Sequence, residues 1–205
     1  MIVHHFTTPI TTPFARKSTQ IYGDLRRLWE KAKIKESAKK PEITGLCRLI
    51  KGYKIMIKVL FVCHGSICRS PMAEFIFGDL VKKANLEASF QIESAAVSRE
   101  ELGNPVYPPA RRVLAAHGIF CGSHRARQIT KGDYAAFDYL IGMDRENLSG
   151  MRRVFGADPE GKLRLLLSFA GKDRDVADPW YTDDFEAAYR DIDEGCRALL
   201  AFLLR

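Results

Sequence analysis

The sequence predicts an α/β protein: a three-layer, doubly wound fold with a central four-stranded parallel sheet flanked by about five helices. Three observations carry that expectation. From Met56 onward, short apolar runs rich in β-branched residues alternate with segments whose apolar residues recur at helical spacing, which is the signature of parallel strands joined by crossover helices. The first apolar run ends at a Gly-bearing loop that leads straight into a Ser-Pro helix start. No internal repeat breaks the alternation, so one sheet covered on both faces accounts for the pattern.

The elements follow in order. Residues 57–62 form a first strand that ends at Cys63. Ser70 and Pro71 open a helix over 70–81, a capping-type residue followed by Pro at the first helical position. Met72, Phe75, Ile76 and Leu80 fall on one side of it. A second strand covers 90–93. Pro105, Pro108 and Pro109 make 95–109 a loop, and a helix over 110–117 closes at Gly118. A short helix over 130–137 precedes a third strand over 138–143. Asp144 then caps a helix to about residue 155. A fourth strand over 163–167 and a long helix over 182–204 complete the chain, the helix carrying Phe185, Ala188, Tyr189, Ile192, Cys196, Leu199 and Leu200 on one face. Connections between parallel strands of one sheet are expected to be right-handed.

Charge divides the chain at the same place. Residues 1–55 hold 12 Lys+Arg against 4 Asp+Glu, a net of +8, whereas residues 56–205 hold 20 against 21, a net of −1. The first segment reads as a basic N-terminal extension, disordered or outside the natural protein, since Met56 opens a strand. A targeting extension, or an arm for nucleic acid or a membrane surface, are the other readings. Residues 56–205 read as the functional domain, with no electrostatic reason to seek nucleic acid. No apolar run approaches the ~20 residues of a membrane-spanning helix, and the N-terminus lacks the form of a secretory signal. A cytoplasmic location follows. Five cysteines, an odd and sparse set, argue against a disulfide framework.

The chemistry concentrates in Cys63-His64-Gly65-Ser66-Ile67-Cys68-Arg69-Ser70, between the first strand and the first helix. Open α/β sheets bind ligands at the carboxyl ends of their strands. A helix N-terminus offers N–H groups and positive potential there, and a turn with inward N–H groups makes a nest for an anion. Gly65 lets the backbone approach a ligand closely. Into that nest the sequence places a thiol nucleophile, Cys63, and a guanidinium, Arg69, able to grip two phosphoryl oxygens at once. Ser70 can hydrogen-bond the sulfur. A second element is Asp178-Pro179-Trp180-Tyr181. Asp178 is placed to protonate a leaving oxygen, while Trp180 and Tyr181 offer an aromatic wall. His64, Gly65, Ser66, Ile67 and Cys68 complete the expected substrate-binding set. Zinc on Cys63, His64 and Cys68 lacks a second ligand pair at suitable spacing, so neither a metal nor another cofactor is expected.

These residues belong to a wider pattern. Val-Cys-His-Gly-Ser-Ile-Cys-Arg-Ser-Pro-Met-Ala-Glu from Val62, Ser94-Ala95-Ala96, Gly103-Asn104-Pro105, His117-Gly118-Ile119, His124-Arg125-Ala126-Arg127-Gln128 and Asp178-Pro179-Trp180-Tyr181 together resemble the low-molecular-weight protein tyrosine phosphatases, over residues 57–204. The resemblance implies Cys63 as nucleophile, Arg69 as phosphate and transition-state binder, Asp178 as general acid, and a metal-free hydrolysis in two steps through a cysteinyl-phosphate. It implies that Cys68 can form a reversible disulfide with Cys63. Ile67 matches relatives acting on phosphotyrosine, since Thr at this position goes with phosphoarginine. The expected partner is therefore a phosphotyrosine protein or a small aryl phosphate. Two positions depart from the pattern: Ser66 replaces the usual Asn, and Ser98-Arg99-Glu100-Glu101 stands where an aromatic residue usually guards the pocket mouth. Two rivals share the fold. An arsenate reductase would need a relay of neighbouring cysteines, and only Cys121 and Cys196 remain for it. A non-catalytic phosphate-binding module would keep the nest without its nucleophile or acid.

Overall fold

The computed structural model describes residues 56–205. The basic segment 1–55, with its readings as an extension or as a nucleic-acid arm, lies outside the described residues. Four strands form one parallel sheet: β1 (Ile57–Cys63), β2 (Phe90–Ala96), β3 (Tyr139–Gly142) and β4 (Leu163–Leu165), in the order β2-β1-β3-β4. β1 pairs with β2 from Ile57↔Phe90 to Cys63↔Ala96 and with β3 from Val59↔Tyr139 to Val62↔Gly142. The chain first steps from β1 to β2 on one side, then returns to β3 on the other. The crevice between the carboxyl ends of β1 and β3 is therefore the point where the winding reverses, the place such sheets offer to ligands.

The helices are α1 (Arg69–Lys83), α2 (Pro108–Ala116), α3 (Lys131–Ala136), α4 (Arg145–Phe155), α5 (Pro179–Thr182) and α6 (Phe185–Leu203). β1 shows why both sheet faces must be covered, because Val59 to Cys63 are all buried and successive side chains point to opposite faces. Val59, Phe61 and Cys63 enter a core with Met72, Ile76 and Phe77 of α1, Leu114 of α2 and Ile192, Cys196 and Leu199 of α6. Leu60 and Val62 enter a second core with Ile129, Phe137 and Met151. Each of these large apolar side chains contributes roughly 1.5–3 kcal/mol on burial. Gly195 lets α6 press against the segment after β4, since a Cβ there would stand 2.5 Å from Leu166 Cγ.

The structure moves several predicted boundaries. β2 runs on from the predicted Glu93 to Ala96, because backbone pairing with β1 carries the small residues Ser94, Ala95 and Ala96. β4 stops at Leu165, and Leu166–Ala170 curl into a 3-10 turn closed by Gly171 at φ 71°. α1 starts at Arg69, with Cys68 at the cap position and no side-chain capping bond. Ser70 is inside the helix rather than at its cap. The terminal helix starts at Phe185 instead of Thr182, and the loop expected before it forms the single turn of α5, with Asp183 at φ 55° between them and Asp184 capping α6 by accepting from Ala187 N.

Candidate active site

The loop from Cys63 to Cys68 is held from outside by its carbonyls. Cys63 O accepts from Val97 N, His64 O from Ser98 N and Ile67 O from Tyr107 N, while Ser66 O accepts from His124 Nε2 at 2.8 Å; Cys68 O takes the first bond of α1, from Met72 N. A peptide whose carbonyl points outward turns its N–H inward, so four anchored carbonyls aim loop amides at one place. The first turn of α1 adds its N–H groups there, left open by the missing side-chain cap and with no acidic residue within that turn.

Cys63 Sγ lies inside this ring. Ser66 N donates to it at 3.3 Å, and Ser70 Oγ lies 3.2 Å away. The Ser70 hydroxyl is also 3.3 Å from Ser66 Oγ and 3.4 Å from Ala95 O. Its one proton serves one acceptor at a time and can follow the charge on sulfur. Ser66 is fully buried at φ 55°, a left-handed conformation that Asn adopts more readily than Ser.

Arg69 is 3% exposed and spans the sheet's crevice. Its Nη1 donates to Asp144 Oδ2 at 2.7 Å and to Val176 O at 3.2 Å, and its Nη2 donates to Asp178 Oδ2. Burial works against the guanidinium's charge, but Cys63, Asp178 and Asp144 outweigh it and raise the Arg69 pKa above its ordinary value. Asp144 is the N-cap of α4 through its other oxygen, which accepts from Asn147 N at 2.6 Å. The sequence identified that cap, yet nothing local in it reveals the second bond to an arginine 75 residues earlier. The two thiols of the loop differ. Burial first, then Cys63 and Asp178, push the Cys68 pKa up to about 12, with Arg69 opposing, so Cys68 stays a neutral thiol.

A cavity of about 170 Å3 opens over the sulfur. Of the predicted site residues, Cys63, His64, Gly65, Ile67, Cys68, Arg69, Asp178, Trp180 and Tyr181 line it. Ser66 and Ser70 sit behind the loop and support it. Asp178 caps α5 by accepting from Trp180 N at 3.0 Å, which Pro179 at the first helical position permits. Trp180 stands 5.5 Å from Tyr107, centroid to centroid, and Tyr107 lies 5.9 Å from Phe185. A larger groove of about 520 Å3, lined by Phe75, Phe90, Ile119 and Phe120 among others, has no cysteine in its wall.

Three residues escaped sequence reasoning besides Asp144. His124 is the brace on Ser66 O, with Nδ1 3.6 Å from Glu74 Oε2, which accepts from Ser94 Oγ. Burial lowers the His124 pKa, but hydrogen bonds to Glu74 and to Ser66 O more than offset it and leave it raised. The quoted motif contains His124, yet no local pattern says where its ring points. Glu100 and Glu101 also line the cavity.

A buried thiol beneath an open helix N-terminus, with a charged guanidinium beside it at a parallel-sheet switch point, defines the class: an α/β protein that binds oxyanions over a cysteine. The comparisons give the family. The model of the low molecular weight phosphotyrosine protein phosphatase family matches residues 58–205. The chain is 41% identical over 148 residues to the low molecular weight protein-tyrosine-phosphatase YfkJ of Bacillus subtilis, covering 71% of this chain and 95% of that protein. It is 42% identical over 147 residues to the Homo sapiens low molecular weight phosphotyrosine protein phosphatase, covering 69% and 92%. The crystal structure of YfkJ superposes with a TM-score of 0.71 over 75% of this chain and 96% of that one. That of DARP, drosophila arginine phosphatase, superposes with a TM-score of 0.65 at 35% identity, over 72% and 98%. This chain belongs to the low molecular weight phosphotyrosine protein phosphatase family.

Proposed function

We propose that residues 56–205 form a phosphatase domain that hydrolyses phosphotyrosine, and small aryl phosphates, through a cysteinyl-phosphate on Cys63. The observation that carries this reading is the set of four outward-anchored carbonyls around Cys63 Sγ, which leaves the inward amides and Arg69 to receive a phosphoryl group. In the first step the Cys63 thiolate attacks phosphorus, the ester P–O bond breaks, and Asp178 gives its proton to the leaving phenolic oxygen. Arg69 and the loop amides hold the equatorial oxygens as charge spreads over them. In the second step a water attacks phosphorus and passes a proton to the Asp178 carboxylate. The P–S bond breaks, and phosphate leaves with the thiolate restored. The Ser70 hydroxyl, 3.2 Å from sulfur, stabilises the departing thiolate.

Ile67 lines the cavity beside Trp180 and Tyr181, an apolar and aromatic setting suited to a phenyl ring, and this supports phosphotyrosine over phosphoarginine. Fully buried Cys196, whose Sγ lies 3.8 Å from Ala73 O, is poorly placed for an arsenate-reductase relay. We place the protein in the cytoplasm, where a reducing environment keeps its nucleophile free; Cys63, Cys68, Cys121 and Cys196 are all unpaired thiols. No helix of the described residues is long and apolar enough to cross a membrane.

The test is p-nitrophenyl phosphate turnover by the full chain, with phosphotyrosine and phosphoarginine peptides beside it. Cys63→Ser should abolish hydrolysis, and EDTA should leave it unchanged. Turnover that survives Cys63→Ser at the wild-type rate defeats the mechanism, and faster release of phosphate from the phosphoarginine peptide reverses the substrate assignment.

A further inference from the structure

The mouth of the cavity has a character that its floor does not explain. The floor receives an anion. The wall above it carries two carboxylates and two exposed aromatic rings, Glu100, Glu101, Trp180 and Tyr181. Glu101 is seated on the phosphate loop itself, since a Cβ on Gly65 would stand 2.9 Å from Glu101 Cγ, and its Oε2 accepts from Asn104 Nδ2 at 2.6 Å. Glu100 is exposed, with its Oε2 2.9 Å from His64 Nε2. Trp180, against Tyr107 on one side, is still 57% exposed and Tyr181 is 87% exposed, so much of each side chain is open to a ligand. Carboxylates attract cations by charge, and indole and phenol faces attract them through their quadrupoles. The positive charge in the cavity, Arg69, is already engaged with Asp144 and Asp178 and is buried beneath. The countercharges near the mouth are Arg99, which precedes Glu100, and His64 when protonated.

We propose that this rim selects phosphotyrosines flanked by lysine or arginine and disfavours those flanked by acids. The inference rests on the phosphatase reading above and names the substrate class of that same site. A phosphotyrosine side chain whose phosphate reaches the loop brings its neighbouring residues to the mouth. A lysine or arginine there meets Glu100, Glu101 or an aromatic face, and an aspartate or glutamate meets like charge. Rim contacts of this kind set selectivity more than they set the rate of chemistry.

The experiment compares two phosphotyrosine peptides, identical except for Lys or Glu on either side of the phosphotyrosine, with p-nitrophenyl phosphate as the reference that has no flanks. The wild-type full chain should favour the Lys-flanked peptide in kcat/KM by about tenfold at low salt, and the preference should shrink as salt screens it. The double variant Glu100→Gln, Glu101→Gln should bring the two peptides to within about twofold of each other, and Glu100→Lys, Glu101→Lys should reverse the order. Dividing each rate by that variant's own p-nitrophenyl phosphate turnover removes any loss of folded protein. Equal use of both peptides by a wild-type enzyme that turns over p-nitrophenyl phosphate overturns the inference and leaves the phosphatase reading standing. No turnover of any of the three sinks both.

Discussion

The floor of the site and its mouth are built on different principles. On the floor, Ser66 and Ser70 have no exposed surface and Arg69 has 3%, and each lies within hydrogen-bond reach of buried partners. At the mouth, Trp180 and Tyr181 are more than half exposed, and Glu100 is held by a single exposed partner. Burial makes the floor exacting, because a polar group there has no water to fall back on if its partner is lost. Exposure makes the mouth tolerant, because solvent replaces whatever a substitution removes. On the proposed reading the chemistry belongs to the floor and the choice of substrate to the mouth, and substitutions should separate the two.

The largest break comes from Arg69→Lys. A lysine keeps the charge but offers one point of attachment where the guanidinium meets Asp144, Val176 O, Asp178 and the incoming phosphoryl oxygens. Loss of the bidentate grip should lower kcat/KM for p-nitrophenyl phosphate by about a thousandfold, roughly 4 kcal/mol of transition-state stabilisation. A loss under tenfold would show that the loop amides alone carry the phosphoryl group.

Asp178 stands between floor and mouth, with a quarter of its side chain exposed and one oxygen paired to Arg69. Asp178→Asn keeps the shape and the acceptor for Trp180 N but removes the proton. An alkyl phosphate, whose leaving oxygen needs that proton most, should slow by at least about a hundredfold, and p-nitrophenyl phosphate by much less. Equal slowing across a leaving-group series would assign Asp178 to holding Arg69 rather than to proton transfer.

What was legible in the sequence follows the same division by range. Cys63 and Arg69 lie within one strand–loop–helix junction, where strand end, glycine and helix start are all local signals, so eight consecutive residues disclose the anion site. Asp178 is readable only beside the cysteine loop and through the family resemblance, because Asp-Pro alone reads as a turn and the single turn of α5 is too short for apolar periodicity to reveal. Ser70 illustrates a local signal misread. It looks like a cap, but the helix begins one residue earlier and the hydroxyl turns to sulfur instead. Asp144, Tyr107 and His124 reach the loop from 75, 40 and 58 residues away, by bonds to Arg69, Ile67 and Ser66. Periodicity reports which face of an element is buried, not which distant backbone atom a ring or carboxylate will meet. The run of small residues that ends β2 was likewise hidden, since its pairing comes from β1 rather than from its own propensity.

The subtlest test addresses the floor from behind, through His124. Its ring is 6% exposed, and it faces Ser66 O, the Glu74 carboxylate and the edge of Phe75, with Arg125 next in the chain opposing its charge. Protonated, it donates from both nitrogens, and its pKa in the folded protein lies above the ordinary 6.5. A raised folded pKa means that the folded state holds the proton more tightly than the unfolded chain. The stabilisation it brings is fully present below pH 6.5 and is lost as pH rises through the higher, folded value. His124→Gln keeps an amide donor for Ser66 O but cannot titrate. Wild type should therefore exceed the variant in unfolding free energy by more at pH 5.5 than at pH 8.5. Denaturant unfolding across that range measures the gap. A gap that widens toward high pH would mean the neutral ring is the one that fits, and the loop would then owe its anchorage to the Ser66 carbonyl bond without help from the charge on Glu74.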